Sequence, residues 1–304
     1  MVVLVDRGRY RVMLDSDSPG GSARLVTAMR ARELGRRSLA VGDEVSVVGD
    51  TSGRDGTLAR IVALEPRRTT LRRSADDADS VERVIVANAD QLAVVLSVAD
   101  PAPRYGFADR ALVAGYDGGL RPVIIATKDD LGPPDEIAAT YGTLGIPVVP
   151  MHRGADLGDL RGLLAGRRTV LIGHSGVGKS TLVNMLVPDA ERATGAVNTV
   201  TGRGRHTSTS VHSMRLPEGG WIIDTPGVRS FGLAHVDTSR IMRAFADLEP
   251  GVDDCPRACD HLDQYCALDS YAASGRAGPA APARLASLRR LLRAMAAEGS
   301  PDDE

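Results

Sequence analysis

A glycine-rich segment near the middle of the chain carries the pattern GxxxxGK[ST] at every fixed position. Its residues are Gly173, His174, Ser175, Gly176, Val177, Gly178, Lys179 and Ser180, and Thr181 follows them. In such a loop the backbone N–H groups converge on a phosphate group, the ammonium reaches the terminal phosphates, and the hydroxyl binds Mg²⁺. The apolar run 169–172 precedes the loop, and a helix-length stretch that ends at Pro188 follows it. This context favours a nucleotide-binding P-loop over an ordinary glycine-rich turn.

A second candidate motif, Thr127-Lys128-Asp129-Asp130, follows the apolar run 122–126 and fits the pattern [NT]KxD. Asp130 would accept hydrogen bonds from N1 and N2 of guanine, which adenine cannot donate, while the Lys128 stem packs along the base. Alone, this motif suits a surface loop equally well. Lys128 and Lys179 are, however, the only lysines among 37 Lys and Arg residues, which indicates two places that need a slim ammonium. Together with the P-loop, the motif predicts binding of GTP and GDP rather than ATP.

A third motif, DxxG, follows the apolar run 221–223. Its residues are Asp224, Thr225, Pro226 and Gly227. We expect Asp224 to hold Mg²⁺ through water and the Gly227 amide to contact the γ-phosphate. Val228 stands next, where Ras-like enzymes carry a glutamine that orients the attacking water. Intrinsic hydrolysis is therefore expected to be slow.

The stretch that leads into a predicted hairpin at 208–223 is rich in Gly, Thr and Arg, and we interpret it as the first switch. Within it, Thr207 is the candidate magnesium ligand beside Ser180, and Thr209 is its substitute. His206 is the candidate catalytic residue, which would enter the site when RNA orders the loop. An equally weighted alternative is that His206 only anchors this loop.

The order of the motifs is unusual. The guanine motif (127–130) precedes the P-loop (173–180), which precedes DxxG (224–227), whereas ordinary Ras-like domains place the P-loop first. We therefore predict a circular permutation, in which the usual termini are joined through residues 152–168 and the chain opens after the second switch. The second switch would then run directly into the C-terminal region, so that loss of the γ-phosphate could move that region.

The three cysteines lie within twelve residues, and a histidine stands among them. The four residues are Cys255, Cys259, His261 and Cys266. An odd, clustered set of thiols in a cytosolic protein favours a metal over disulfides. Three thiolates and one imidazole form a closed tetrahedral set typical of one structural zinc ion, with no open position for catalysis. The alternative is unconnected thiols beside a surface histidine.

The hydrophobic pattern divides the chain into three predicted domains. Residues 1–86 carry short strand-like runs, among them 41–48, and predict an OB-fold β-barrel that binds RNA. Residues 87–235 alternate compact apolar runs, such as 146–149, with helix-length segments, and predict a permuted P-loop GTPase domain of Ras-like α/β type. Residues 236–304 have helical spacing and would hold the zinc site. The predicted fold class is thus multidomain α/β.

Composition restricts the partners. The formal net charge of −2 excludes a uniformly basic nucleic-acid binder, but arginines crowd the predicted barrel. Tyr10 is the only aromatic residue among the first hundred, so contact with phosphates of folded RNA fits better than stacking on bases. The alternative is that these arginines only form a solvated surface. No secretion signal or membrane-length apolar run is found, and we expect a cytoplasmic monomer without membrane contact.

With these residues in view, the chain resembles the small ribosomal subunit biogenesis GTPases of the RsgA (YjeQ) type over nearly its whole length. The segments GHSGVGKST (173–181), RGRHTSTS (203–210), IIDTPGVRSFGL (222–233) and the cysteine cluster resemble the family signatures in their expected order. The resemblance implies an OB-fold, a circularly permuted GTPase domain and a zinc-bearing helical domain. It also implies binding to the 30S subunit and its 16S rRNA, GTP hydrolysis stimulated by the ribosome, and release of the factor after late maturation.

Three features depart from the family pattern. Thr127 stands where many members have asparagine, which weakens one contact that tethers the loop. The cysteine cluster is one residue shorter in its first and last gaps. Pro150-Met151-His152 stands where a base-contacting Ser-Ala motif is usual, so the residue that contacts guanine O6 is unassigned. Two other functions are weighed: a passive RNA-binding scaffold with GTP as a structural ligand, and a P-loop ATPase or small-molecule kinase.

Overall fold

The computed structural model of the protein describes residues 1–6, 8–14, 23–35, 38–74, 82–187, 211–226, 233, 236, 238–263 and 265–296, without the side chains of 73, 74 and 82. The strands in this part of the chain are β1 Val2–Asp6, β2 Arg9–Leu14, β3 Arg24–Arg30, β4 Val45–Gly49, β5 Ala59–Leu64, β6 Thr70–Ser74, β7 Glu82–Ala87, β8 Gln91–Ser97, β9 Arg121–Thr127, β10 Val148–Met151, β11 Arg168–Ile172, β12 His212–Arg215 and β13 Trp221–Asp224.

The helices among the described residues are α1 Tyr105–Asp117, α2 Asp135–Gly142, α3 Gly158–Leu164, α4 Lys179–Leu186, α5 Thr238–Met242, α6 Ala267–Ala273 and α7 Ala281–Ala296. Short 3₁₀ helices span Arg32–Leu34, Asp129–Leu131, Arg243–Phe245 and Glu249–Asp254. Within the described ranges, no helix combines the length and the apolar composition needed to cross a membrane.

Eleven of the described strands form one mixed sheet in the order β10-β9-β8-β11-β13-β12-β1-β2-β3-β5-β4, and β6 pairs with β7 in a separate hairpin. From β10 to β13 neighbouring strands run parallel. Strand β12 is antiparallel to β13 and also pairs with β1, where Leu4 lies opposite His212. The N-terminal strands therefore continue the central sheet through β12.

The N-terminal strands enclose a small core of their own. Side chains alternate across a strand, so Tyr10 and Val12 of β2 point inward with Ile61 of β5. Strands β3 and β5 run parallel, whereas β1–β2, β2–β3 and β4–β5 are antiparallel pairs. Two backbone hydrogen bonds of 2.8 Å join Val2 to residues 42–43, directly before β4. Strand β1 and the segment before β4, which belong to opposite ends of the order β1-β2-β3-β5-β4, are therefore joined.

The predicted strand 41–48 is wrong at its start, because β4 begins only at Val45. Gly42 has a φ of 92°, a left-handed conformation that a strand does not continue through. The Asp43 carboxylate also accepts a hydrogen bond of 2.7 Å from the Ala40 N–H. Together these features close a turn where the apolar sequence predicted extended chain.

Helices cover both faces of the central parallel strands. All seven residues of β8 are buried, which explains the apolar run between Gln91 and Ser97. Val94 packs on the face covered by α1, α2 and the C-terminal helices. Val95 packs on the opposite face, with α3 and α4. Both faces of the parallel strands are therefore covered by helices.

The C-terminal helices pack on the α1 face rather than forming a separate core. In α7 the buried residues Leu285, Leu288 and Leu292 recur at helical spacing, as predicted, and join the core cluster of the sheet. Arg290 of α7 donates a hydrogen bond of 2.8 Å to the buried Asp109 of α1. Burial is the largest influence on the pKa of Asp109 and raises it, while the arginine opposes the rise.

Candidate nucleotide-binding site and candidate metal centre

The three predicted nucleotide motifs meet at one edge of the sheet. Strands β8, β9, β11 and β13 are parallel, so the loops that follow them emerge on the same side. Those loops carry residues 98–104, 128–132, 173–178 and 225–226. In open α/β sheets this edge is where ligands bind. The fold thus brings together segments that lie far apart in the sequence.

Glycines shape the loop between β11 and α4. Gly176 and Gly178 have φ values of 81° and 89°, which favour glycine, and Gly178 caps α4. A Cβ on Gly173 would lie 2.8 Å from the Val95 carbonyl oxygen, so a larger residue does not fit there. The N-terminus of α4 therefore faces the loop, in an arrangement suited to an anion.

Lys179 and Asp224 lie side by side in this edge. The Lys179 Nζ is 3.6 Å from Asp224 Oδ1 and donates a hydrogen bond of 3.3 Å to the Thr225 carbonyl. Asp224 Oδ1 is buried and has no hydrogen-bond partner among the described residues. The Thr225 hydroxyl in turn donates to the Leu171 carbonyl at 2.8 Å, which fixes this loop against β11. Lysine and aspartate from two predicted motifs are thus in one site.

Thr127 joins the guanine motif to the P-loop. Its buried hydroxyl lies 2.5 Å from the Val177 carbonyl and 3.0 Å from the Leu96 carbonyl. The contact between the two loops, which the replacement of asparagine was expected to weaken, is therefore made by a threonine hydroxyl. Lys128 is in the left-handed region with φ 59°, and its Nζ donates to the Asp100 carbonyl.

Thr127→Val is expected to lower the affinity for GDP about 5- to 10-fold, because the Val177 carbonyl loses its donor in a buried place. Valine keeps the shape of threonine, so the change tests the hydroxyl alone. Thr127→Ser keeps the hydroxyl and is the matched control, with affinity close to that of the wild type. Titration with a fluorescent GDP analogue measures both. A valine variant that binds as tightly as the wild type would show that the tether has no part in binding.

Asp130 is exposed on the 3₁₀ turn Asp129–Leu131 and makes no hydrogen bond or ion pair with any other described residue. Its neighbour Asp129 is engaged instead, with Oδ1 2.9 Å from His152 Nδ1. The carboxylate predicted to bind guanine is therefore the one in this turn that is left available.

The remaining P-loop residues are placed in two groups. Ser175, Ser180 and Thr181 are exposed, and Val177 is buried. The His174 ring packs edge-on against Phe107 of α1, with ring centroids 4.3 Å apart. Burial lowers the pKa of His174, and the charges of nearby arginines and Lys179 lower it further. A neutral His174 therefore anchors the loop to α1.

Five predicted residues of the switches lie outside the described part of the chain. They are His206, Thr207, Thr209, Gly227 and Val228. Sequence reasoning also missed His212, which lies opposite Asp224 in the antiparallel pair of β12 and β13. Its Nε2 is buried and meets no hydrogen-bond partner in the part of the chain that the structure describes. Burial lowers the pKa of His212, while Asp224 raises it. No sequence motif includes His212; the pairing of β12 with β13 is what places it beside Asp224.

Cys255, Cys259, His261 and Cys266 form a cluster whose possible ligand atoms all lie within 4.8 Å of one another. The His261 Nδ1 is 3.6 Å from the sulfurs of Cys255 and Cys266, which are 3.8 Å apart. Metal–sulfur bonds of about 2.3 Å in a tetrahedron require ligand separations of this size. The chemistry and spacing of the donors therefore fit a metal ion.

Secondary structure holds the cluster on both sides. The 3₁₀ helix Glu249–Asp254 ends directly before Cys255, and α6 begins directly after Cys266. Arg289 of α7 donates a hydrogen bond of 2.9 Å to the His261 carbonyl. Burial, with a smaller effect of Cys255, raises the pKa of the Cys266 thiol to about 12. A bound cation would remove this penalty on the thiolate.

Comparison with known proteins decides the family. A model of the RsgA GTPases matches residues 64–234. The small ribosomal subunit biogenesis GTPase RsgA of Pseudomonas aeruginosa is 35% identical over 268 residues, which cover 85% of this chain and 76% of the relative. The chain belongs to the RsgA GTPase family. The RsgA relative of Burkholderia pseudomallei (strain K96243) is 36% identical over 297 residues, or 94% of this chain and 90% of the relative.

Solved structures support the same fold. YjeQ from Thermotoga maritima matches with a TM-score of 0.68 at 22% identity, covering 97% of each chain. YloQ, described as a circularly permuted GTPase, matches with a TM-score of 0.65 at 21% identity, covering 96% of this chain and 93% of its own. The resemblance to RsgA predicted from the motifs is thus confirmed, and the similarity extends beyond residues 64–234 to most of the chain.

Proposed function

We propose that this chain is a GTP hydrolase that binds the small (30S) ribosomal subunit and couples hydrolysis to late maturation of the subunit and to its own release. Membership of the RsgA family carries the proposal, because relatives with this degree of identity are named small ribosomal subunit biogenesis GTPases. The position of Lys179, Asp224 and the Thr127 loop at one sheet edge supports it within this chain.

The chain's own residues would bind GTP as follows. The P-loop amides and Lys179 would surround the β- and γ-phosphates, and the ammonium would exchange its contacts with Thr225 and Asp224 for phosphate oxygens. Ser180, Asp224 and Thr207 would hold Mg²⁺, which neutralises charge on the phosphates when bound. Asp130 would accept hydrogen bonds from guanine at the other end of the nucleotide.

The switches would link hydrolysis to the C-terminal region. The Gly227 amide would contact the γ-phosphate, and the chain then continues to Leu233 and Val236, which are buried in the core shared with the C-terminal helices. His206 would position the attacking water when RNA orders the first switch. Release of the γ-phosphate would free the DxxG loop and change how the C-terminal helices are held.

The other parts of the chain would provide binding. The order β1-β2-β3-β5-β4 and the meeting of its ends support an OB-fold in residues 1–86, ahead of a GTPase domain in 87–235 and a helical domain in 236–304. Exposed arginines of the barrel, such as Arg9 and Arg60, would contact phosphates of 16S rRNA. The ion in the cysteine cluster would be one structural zinc, and the protein would act as a cytoplasmic monomer.

The test is phosphate release under multiple turnover, with and without purified 30S subunits. We expect the 30S subunit to raise the hydrolysis rate at least about tenfold, because Val228 cannot orient water as glutamine does. The same assay with 50S subunits in place of 30S subunits is the specificity control. Nucleotide binding without stimulated turnover would instead support a passive scaffold, and equal competition by ATP would support an ATPase or kinase.

The same assay assigns His206. His206→Ala is expected to retain the slow intrinsic rate and to lose at least about tenfold of the 30S-stimulated rate. Arg205→Ala, the adjacent residue, is the matched control for disturbance of the loop. Full stimulation of the His206 variant would exclude this histidine from the chemistry and leave it as an anchor.

A further inference from the structure

The turn that carries Asp130 is tied to three different loops by three consecutive side chains. Thr127 contacts the P-loop, Lys128 donates to the Asp100 carbonyl in the loop after β8, and Asp129 contacts His152 after β10. The turn itself is closed by a backbone hydrogen bond of 2.9 Å from the Leu131 N–H to the Lys128 carbonyl. All three side chains precede Asp130 in the sequence, and the third, Asp129, is its immediate neighbour.

Strand register places His152 at this turn. Strands β9 and β10 are parallel, and their last residues, Thr127 and Met151, lie opposite each other. The segments that follow the two strands therefore start side by side. His152 Nδ1 is 2.9 Å from Asp129 Oδ1. A carboxylate can only accept, so Nδ1 must carry the hydrogen. The His152 carbonyl also accepts a hydrogen bond of 3.2 Å from the Ala155 N–H, which closes the following turn and holds the histidine in place.

We infer that His152 is a positioning residue for guanine specificity: it holds Asp129, and through Asp129 it holds the Asp129–Leu131 turn that presents Asp130 to the base. This inference rests on the proposed GTPase function. It also gives a role to the Pro150-Met151-His152 segment, in which sequence patterns identified no base-contacting residue. The discrimination concerned is between purine bases that do and do not carry the exocyclic amino group.

Loss of the histidine would act on Asp130 through its neighbour. Without the Nδ1–H donor, the Asp129 carboxylate would have no hydrogen-bond or ion-pair partner among the described side chains, and it lies next in the chain to a second carboxylate. Like charges repel, and the freed side chain would turn toward water. Asp130 would then adopt several orientations, and its two hydrogen bonds to guanine would form less often.

The experiment compares GDP with IDP, which lacks the amino group at C2, on full-length protein by fluorescent-nucleotide competition. Wild type is expected to prefer GDP, and Asp130→Ala to lose that preference. His152→Ala is expected to lower GDP affinity about 5- to 20-fold and to reduce the GDP-to-IDP preference toward the value of Asp130→Ala. Arg153→Ala is the matched control, because Arg153 is the next residue, is exposed and contacts no other described residue through a hydrogen bond or ion pair.

Two further variants separate positioning from general loosening of the fold. His152→Asn keeps an N–H donor near the place of Nδ1 and is expected to restore the preference to within about twofold of wild type. The double variant His152→Ala, Asp129→Ala is expected to lose less GDP affinity than the two single variants lose in sum, since both substitutions remove the same contact.

The outcomes are distinct. A His152→Ala protein with the wild-type preference, or an Arg153→Ala protein with the same loss, would overturn the inference while leaving the proposed function intact. A wild-type protein that binds GDP and IDP equally would instead contradict guanine recognition, and with it the proposed function.

Discussion

Lys179→Ala is expected to lower the affinity for GDP and GTP about 10²- to 10³-fold and to abolish measurable hydrolysis, because the variant loses charge-assisted hydrogen bonds to two phosphate groups. The side chain is only 13% exposed, and its Nζ already lies beside Asp224. Without the ammonium, the site would lose one of the positive charges that separate this carboxylate from the phosphates. Titration with a fluorescent GDP analogue and single-turnover hydrolysis measure the two effects.

Lys179→Arg distinguishes charge from shape. The arginine keeps the positive charge but replaces a compact ammonium with a planar guanidinium, and we expect it to recover little of the binding. Lys128→Ala is the matched control, since it removes the other lysine from the same edge and should cost less. An arginine variant that binds as well as wild type would show that a lysine at 179 is not required by geometry.

The buried parallel strands could be predicted because they leave a clear pattern. The central residues of β8, β9, β11 and β13 form compact apolar runs, since both faces of the sheet are covered there. Strands β9, β11 and β13 each lead into a motif with fixed spacing, so the sequence also indicates which strand ends would carry chemistry. The cysteine cluster was also predictable, because four metal-binding residues that lie close in the sequence need only one short loop to bring them together.

Other elements were missed or displaced because their sequences are ambiguous. The predicted strand 146–149 is observed as β10 Val148–Met151, two residues later, because residues 144–146 still form the turn after α2. The hairpin of β6 and β7 was not predicted. Leu71 of β6 and Val86 and Ala87 of β7 are the buried residues among the described side chains of these strands, and the intervening polar sequence has no marked strand pattern. So few buried positions give too little signal.

The contacts between loops are the part of the site that could not be predicted from sequence motifs. The pairs His152–Asp129 and Thr127–Val177 join residues that are 23 and 50 positions apart. Such contacts depend on which strands are neighbours and on their register, and a shift of one residue would turn each side chain to the other face. Motif spacing says nothing about register between strands separated by a helix.

Removal of the metal is expected to unfold the C-terminal region, because the cluster contains three thiols and an imidazole in place of an apolar core. A chelator should lower the free energy of unfolding of this region by at least about 3 kcal/mol, since structural zinc sites contribute more than that in small domains. Cys266→Ser should act in the same way, because Cys266 is a buried ligand at the start of α6. Ser270→Ala, on the exposed side of α6, is the matched control.

The measurements are metal content by mass spectrometry, helical circular dichroism and GDP affinity. One zinc ion per chain is expected in the wild type and none in Cys266→Ser, with a loss of helical signal. GDP affinity should change little, since among the described residues no hydrogen bond or ion pair joins the cluster to Thr127, Asp130 or Lys179, and sites without shared partners act independently. The C-terminal helices nonetheless share their core with α1, and Arg290 pairs with Asp109. Unfolding that also abolished GDP binding would therefore mean that the metal supports the nucleotide site through α1, whereas unchanged melting after chelation would exclude a structural ion.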